Sequence, residues 1–284
     1  MSLIRKDIES QIQNMSSLSH TVPKIVQVVN DSSSSARDLV KVIQMDPVLT
    51  AKVLRIVNSA FYSMQQEVTS LNKAVIMVGM NTVKNLALST AVVSSFSFNE
   101  DECGIKHEEF WKYSVGTAVL SKILAQENRL SATEAEDLFI IGLLHVIGKA
   151  FLLQFFPKKF RKIVVESKEQ NKCLHHLEAN FFGMSHMEIG ATLAVNWKLP
   201  ESVLDGIKYY TDPSESNLLT TKYLSVASNA IKVNAIGFAG DSIAHLDNSD
   251  VLTELSIDEQ FLEEIVINKL SSELEKANAF IKSN

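Results

Sequence analysis

The chain has 284 residues, of which 46 % are apolar, so it can bury one continuous core as a single large domain or as two modest ones. Its 27 basic and 33 acidic residues give a formal charge of -6 without any Lys/Arg-rich block, which argues against direct binding to nucleic acid. Two cysteines, Cys103 and Cys173, are too few for a disulfide framework and suit a reducing compartment.

The N-terminus has acidic residues, Asp7 and Glu9, where a secretory signal would have its apolar region. The longest apolar runs, residues 138–144 and 87–93, are shorter than the roughly 18 residues that span a bilayer. We therefore expect a cytoplasmic protein without a membrane partner.

The pattern of apolar residues predicts helices almost throughout. Apolar side chains recur at spacings of three and four, glycine and proline number only 10 and 5, and no stretch alternates with a period of two. In the first part, Asp46 and Pro47 are typical of a helix start, and Asn81 is expected to cap another helix. The helices predicted there cover residues 21–29, 36–44, 68–79 and 82–96, together with the one that begins at 47.

The second part begins after an acidic segment, residues 99–104, with a long helix predicted over 107–126. Ser131 is expected to cap a helix that continues without a break through the apolar stretch 138–153 and carries His145 into the core. Further helices are predicted at 160–167, 174–182, 187–197, 201–210 and 218–236. A loop over 237–250 then leads to a last amphipathic helix, which is expected to dock on the body or to form a homodimer contact.

Several motifs in this order resemble a known family. Those of the first part resemble the N-terminal lobe of the HD-related output domain, HDOD: Asp46-Pro47, Asn58-Ser59-Ala60-x-Tyr62, Val68-Thr69-Ser70-Leu71, Ala74, Gly79 and Asn85-Leu86-Ala87-Leu88. Those of the second part resemble the wider HD superfamily of metal-dependent phosphohydrolases: Gly142-Leu143-Leu144-His145, Ile147-Gly148-Lys149 and Phe182-Gly183-x-x-His186 with Gly190, Trp197 and Leu199-Pro200.

The resemblance covers about residues 15–230 and implies a two-lobed, all-helical HDOD architecture, with an N-terminal lobe at 15–98 and an HD-like helical core at 105–230. Residues 231–284, the loop and the amphipathic helix, are not assigned to the family. The resemblance also implies a bacterial signalling protein in which the domain acts as an output module.

The same resemblance implies where a metal site would be and how much of it is missing. HD phosphohydrolases hold their metal with an early histidine, a His-Asp pair and a later aspartate, and these positions correspond here to Tyr113, His145-Val146 and Ser228. Related sequences have a histidine pair where this chain has Tyr210-Thr211. Two imidazoles without a carboxylate, His145 and His186, make a poor site for a hydrolytic metal.

We therefore predict no cofactor and no catalytic residue, but a remnant polar cluster held by hydrogen bonds. Its expected members are Tyr113, His145, Val146, His186 and Tyr210, with Tyr209 as a further candidate. The alternative is a divalent transition metal on His145 and His186, completed by a ligand that the motifs do not identify.

Lys149 and Glu178 have two interpretations each. The lysine of this motif touches a phosphate in active relatives, which implies a phosphate contact for Lys149; otherwise it is a lysine at a helix edge with its ammonium group in water. Glu178 resembles a family position, and a structural hydrogen bond is its default role. Cys173, His175 and His176 are read as a solvated helix face, because adjacent helical residues point about 100° apart.

These observations predict a catalytically inactive HDOD-type regulatory module that acts by binding a protein partner in a signalling pathway. The expected docking surface is a groove between the lobes beside His145, or the N-terminal lobe. Two alternatives remain: a phosphohydrolase acting on a nucleotide or cyclic dinucleotide, and a non-catalytic nucleotide sensor that uses Lys149.

Overall fold

The computed structural model describes residues 3–18, 21–31, 33–244 and 249–282, and all regular structure in these ranges is helical. Part of the predicted loop, residues 245–248, lies outside the described residues. The first lobe contains α1 Leu3–Leu18, α2 Thr21–Asn30, α3 Ala36–Gln44, α4 Pro47–Val57, α5 Leu71–Val78 and α6 Met80–Val93.

The second lobe follows a short helix, α7 Glu100–Cys103. It contains α8 His107–Glu127, α9 Ala132–Leu144, α10 Ile147–Phe155, α11 Pro157–Gln170, α12 Leu174–Phe182, α13 His186–Asn196, α14 Glu201–Tyr209, a 3-10 turn at Pro213–Glu215 and α15 Leu219–Val233. The C-terminal region contains α16 Ser249–Glu254, α17 Glu259–Ile265, a π turn at Val266–Leu270, α18 Ser271–Lys276 and α19 Asn278–Lys282.

Helix starts in the first lobe follow the capping signals with one exception. The Asp46 carboxylate accepts a hydrogen bond from the Leu49 amide at 2.9 Å, and Pro47 occupies the first turn of α4, as predicted. The prediction that Asn81 caps the next helix is wrong, because α6 already begins at Met80. Gly79, at φ +89°, ends α5 and begins α6 in one residue, and only glycine adopts that backbone conformation without strain.

Helix α1 is a helix that the sequence patterns did not reveal. Its mostly polar sequence buries one narrow stripe, Ile8, Ile12 and Met15, whose spacing of four and three residues lines a single face. This helix packs against α13 of the second lobe, and Arg5 donates a hydrogen bond to the Gly183 carbonyl at 3.2 Å. The N-terminal helix therefore ties the two lobes together.

The core of the second lobe is the packing of α8 against α9. A Cβ atom on Gly142 would lie 2.4 Å from the Cα of Ala118, so only glycine allows this close approach of the two backbones. The Ser114 hydroxyl on α8 donates to the Leu143 carbonyl at 2.7 Å, near the end of α9. These contacts fix the position of the residues that follow Leu143.

The single helix predicted through residues 138–153 is in fact two helices. Helix α9 ends at Leu144, His145 and Val146 form a turn, and α10 starts at Ile147. The reason lies in the neighbouring helix α13: a Cβ atom on Gly148 would lie 1.8 Å from the His186 carbonyl oxygen, so α10 crosses α13 in near-backbone contact. The chain bends at His145 because α10 is directed by this crossing and not by α9.

By length and composition, residues 132–155 are long and apolar enough to cross a membrane. However, 89 % of the most apolar 18-residue window in this segment is buried inside the protein. Such burial is typical of core helices, whose apolar surface is covered by other helices of the same chain.

The C-terminal region forms several short helices in place of the one amphipathic helix that was predicted. Its last helix reaches both lobes: the Phe280 ring lies 5.6 Å from Phe61 of the first lobe and 5.0 Å from Phe139 of the second, between ring centroids. Arg55 also donates to the Lys282 carbonyl at 2.9 Å. The end of the chain thus packs over the junction of the two lobes.

Candidate functional site

His145 lies in the turn between α9 and α10 and is 1 % exposed. Its Nδ1–H donates to the Gly142 carbonyl at 2.6 Å, a bond within the last turn of α9 that leaves Nε2 as the unprotonated nitrogen. Nε2 is buried and has no hydrogen-bond partner among the described residues. Burial lowers the pKa of His145 to about 3, so the ring is neutral at physiological pH.

His186, in contrast, uses both ring nitrogens. Its Nδ1–H and its backbone N–H both donate to Oε2 of Glu178, at 2.5 and 2.8 Å, and its Nε2 accepts from the Tyr210 hydroxyl at 2.7 Å. All three side chains are almost completely buried. Burial lowers the pKa of His186 even though Glu178 opposes the shift, so this ring is also neutral.

Tyr113 and Tyr210 enclose the His145 ring, at centroid distances of 5.5 and 4.9 Å. The Tyr113 hydroxyl shares a 2.7 Å hydrogen bond with Ser228 on α15. Burial raises the pKa of both phenols, so they remain protonated. The structure therefore brings Tyr113, His145, His186, Tyr210 and Ser228 together in one buried cluster.

The other half of the cluster is charged. Asp241 lies between two buried lysines: its Oδ1 is 2.6 Å from Lys232 Nζ and its Oδ2 is 3.7 Å from Lys149 Nζ. The expectation that Lys149 extends into water is wrong, because its side chain is 1 % exposed. Lys149 makes no hydrogen bond within the described part of the chain, and its ammonium group lies 5.9 Å from the Tyr113 ring centroid.

Electrostatics hold these three residues in their charged forms to different degrees. Burial raises the pKa of Asp241, but Lys149 and Lys232 together outweigh it and bring that pKa well below the ordinary value. Burial lowers the pKa of Lys232, and Asp241 reverses the direction, so the net shift is upward. Burial dominates for Lys149, whose pKa is lowered.

Asp241 reaches this position on the loop after α15. Gly237, at φ +69°, packs so closely on α8 that a Cβ atom would lie 2.3 Å from the Tyr113 backbone nitrogen. The next residue, Phe238, donates its N–H to the Glu109 carbonyl at 2.8 Å. Lys232 also donates to the carbonyl of Ile243 at 3.2 Å, so backbone contacts on both sides position the carboxylate.

These donors do not fit the divalent metal of the HD superfamily. Both nitrogens of His186 and the hydroxyl of Tyr113 are engaged in hydrogen bonds, and Val146 offers no ligand atom. The nearby carboxylate, Asp241, is already paired with two ammonium groups, which would repel a cation. The ring nitrogen and carboxylate oxygen of the cluster that lack a hydrogen-bond or ion-pair partner among the described residues, Nε2 of His145 and Oε1 of Glu178, are too few donors to fix an ion.

Other residues singled out in the sequence lie apart from this arrangement. Val146 is buried as an apolar residue, and Tyr209 is half-buried under Lys208, whose Nζ is 4.6 Å from its ring centroid. The His175 and His176 rings lie 4.1 Å apart between centroids with their planes tilted by 50°. No group of three or more His, Cys, Asp or Glu suited to a metal occurs within the described ranges.

Sequence reasoning missed Asp241 and Lys232. Lys232 lies near the end of α15, a helix that also carries Lys222, and Asp241 follows Gly237 and Gly240 in a loop that resembled no motif. A lysine in an apolar helix face was the one available signal, because a buried ammonium group requires a carboxylate somewhere in the chain.

The two-lobed helical fold, in which α9 and α10 meet in the buried turn at His145, matches the all-helical architecture expected of an HDOD domain. A family model for the HDOD domain matches residues 15–213. The chain therefore belongs to the HDOD family.

Comparison with solved structures supports the same fold. An HDOD domain protein of unknown function from Geobacter sulfurreducens superimposes with a TM-score of 0.71 at 23 % identity, covering 92 % of this chain and 90 % of that one. A protein from Shewanella amazonensis SB2B, named a candidate phosphohydrolase, gives a TM-score of 0.73 at 23 % identity over 95 % and 96 % of the two chains. At such identities the likeness establishes the fold alone.

An uncharacterized protein of Treponema pallidum (strain Nichols) is 28 % identical over 203 residues, which is 72 % of this chain and 39 % of the relative. The chain thus spans about two fifths of the length of this curated relative.

Proposed function

We propose that this protein is a catalytically inactive HDOD module that works in signal transduction by binding another protein in the cytoplasm. The observation that carries the proposal is the chemistry of the buried cluster. Lys149 and Lys232 both pair with the Asp241 carboxylate, and both ring nitrogens of His186 are engaged, by Glu178 and Tyr210. A hydrolytic metal requires several converging N and O donors, and ammonium groups beside those donors would repel it.

A role in protein binding is supported by the surface of the N-terminal lobe. Met45 and Val48, at the turn between α3 and α4, are 63 % and 66 % exposed, and Ile76 on α5 is 81 % exposed. Large aliphatic side chains are normally buried, and exposed ones contribute to docking when a partner covers them.

The enzymatic reading is tested by metal content and turnover. Protein purified without a metal-affinity column is analysed for transition metals and incubated with bis(p-nitrophenyl) phosphate and with cyclic dinucleotides, in parallel with His145→Ala. We expect no stoichiometric metal and no hydrolysis above buffer in either preparation, because too few free donors converge to hold an ion. A stoichiometric metal that is lost in His145→Ala, with turnover, would establish the phosphohydrolase instead.

The binding role is tested by partner identification. Photo-crosslinkers placed at Val48 and Ile76 are expected to capture the same protein in cells of the source organism, and the purified partner should bind the full chain in solution. Val48→Asp with Ile76→Asp should weaken that binding, whereas charge added at exposed Val165 serves as the matched control. Loss of binding only in the control variant would contradict docking on this lobe.

A nucleotide sensor is the second candidate, favoured by one observation. The Lys149 ammonium has no hydrogen-bond partner within the described ranges and could therefore receive a phosphate if the Asp241 loop moved away. A melting-temperature rise with a nucleotide that disappears in Lys149→Met would support this role.

A further inference from the structure

A groove between α15 and the C-terminal helices lies outside the buried cluster. It has a volume of about 380 Å³ and is lined on one side by Ala230 and Val233 and on the other by Leu262 and Val266. Leu262 and Val266 are four residues apart, so they share one helix face, and Val233 is 61 % exposed at the mouth. The groove therefore presents an aliphatic floor to solvent.

The rim of the groove is acidic. Glu259 and Glu263 lie one helical turn apart on α17, both exposed. Neither has a cationic partner within 4 Å among the residues that the structure describes, whereas Glu254 and Glu273 nearby pair with Lys222 and Lys276. Like charges at this spacing disfavour a helix slightly, so the two carboxylates repel each other in the isolated protein.

The helical walls and the acidic rim of the groove indicate which class of ligand it can bind. Both walls are helices whose backbone groups are already bonded internally, so an extended peptide would find no strand edge to pair with. The carboxylates repel nucleic acid and anionic lipid surfaces. An apolar floor with two carboxylates at i, i+4 spacing instead matches a helix with aliphatic residues on one side and Lys or Arg at its edge.

Helix α17, which carries the two glutamates of the rim, continues directly into the π turn Val266–Leu270. The first residue of this turn, Val266, lines the groove. Single π turns within helices are rare and occur frequently at functional sites. We propose that this groove, between Val233 and Leu262–Val266, binds an amphipathic helix of a partner protein whose basic residues pair with Glu259 and Glu263. The inference rests on the proposed function and names one partner surface for it.

The test uses the full chain and two labelled model peptides. Each is a 14-residue helix with leucine along one face; the other positions are lysine in one peptide and glutamate in the second. We expect the Leu/Lys peptide to bind, as measured by fluorescence anisotropy, and the Leu/Glu peptide to bind at least about tenfold more weakly because of charge repulsion. Amide hydrogen exchange should show protection of α15 and α17.

Variants distinguish peptide binding in this groove from non-specific binding elsewhere on the surface. Glu259→Gln with Glu263→Gln should weaken the Leu/Lys peptide about three- to tenfold, while Glu67→Gln with Glu169→Gln, which removes two exposed carboxylates elsewhere, should leave it unchanged. Val233→Asp should weaken binding at least about tenfold, and Ile76→Asp should not.

Equal affinity for the two peptides, no binding of either, or an equal loss in the control variants would overturn the proposal. Self-association of the free chain in sedimentation that is abolished by Val233→Asp would also overturn it, because the groove would then be filled by a second copy. Protection confined to the N-terminal lobe would refute the groove while leaving the proposed protein-binding function intact.

Discussion

The two halves of the buried cluster pair their buried polar groups in different ways: one uses hydrogen bonds and the other uses opposite charges. Around His186, the backbone N–H and both ring nitrogens have hydrogen-bond partners, which come from α12 and α14 on either side of α13 in the chain. Around Asp241, two ammonium groups share one carboxylate, which lies on the loop after α15. The first half is stabilised by hydrogen bonds of ordinary strength, whereas the second depends on charge compensation that exists only when the loop is docked.

The largest expected effect comes from removing Asp241. Asp241→Leu leaves two buried lysines without an anion, and breaking a buried ion pair costs about 3 to 5 kcal/mol. Urea unfolding should show this loss in the free energy of unfolding, with Asp250→Leu, a change at an exposed position, as the control. A cost below about 1 kcal/mol would mean that the lysines find other partners.

The charged half can also be replaced as a unit. The triple variant Lys149→Met, Lys232→Met and Asp241→Leu should recover most of that loss, since apolar replacements of buried ion pairs are often neutral or stabilising. A triple variant as unstable as Asp241→Leu alone would show that packing of the loop, and not charge, dominates.

Removing Glu178 should cost less. Glu178→Ala deprives two donors of His186 of their acceptor, and we expect a loss of about 2 to 3 kcal/mol in the free energy of unfolding. Glu178→Gln, which keeps an acceptor oxygen, should cost less than alanine in the same measurement. Equal losses in both variants would indicate that the negative charge itself is required.

Acid should destabilise the protein through its two buried histidines. Because burial lowers the pKa of His145 to about 3, and also lowers that of His186, both stay neutral in the native state while the unfolded chain binds protons near pH 6.5. For His145 this contribution is complete above pH 6.5 and is lost as the pH falls toward the folded-state pKa, by about 1.4 kcal/mol per pH unit; His186 adds a loss in the same direction. Urea unfolding at pH 7.5 and 5.0 should reveal a loss of about 2 kcal/mol from His145, and His145→Gln should remove that share; parallel pH profiles of the two proteins would contradict this.

The smallest expected effects are those of single phenol groups. Tyr210→Phe removes the donor to His186 Nε2, and Tyr113→Phe removes the partner of Ser228; each should cost about 1 to 2 kcal/mol. Thermal or urea unfolding of the two variants measures how much a single hydrogen bond contributes to the free energy of unfolding in this cluster. A cost as large as that of Asp241→Leu would erase the distinction between the two halves.

Features set by neighbouring residues could be predicted from the sequence, whereas features set by contacts between separate helices could not. The helices, most caps and the family resemblance follow from local signals such as Asp46 and Pro47, which act within a few residues. The neighbours of His186 were found because Glu178 and Tyr210 occupy positions in a recognisable run of motifs. The break at His145 was missed because its cause, the contact between Gly148 and the His186 backbone, joins two separate helices.

The amino-acid sequence by itself determined an all-helical chain, and its family resemblance predicted two lobes and placed Tyr113, Val146 and Ser228 where active relatives hold their metal. Only the tertiary structure decided that Lys149 is buried, that Asp241 compensates it, and that the C-terminal helices form an acidic-rimmed groove. Helix propensity and capping are short-range, so they can be read from neighbouring residues. Compensation of a buried charge is set by distance in space, and residues far apart in the chain meet there only after the helices have packed.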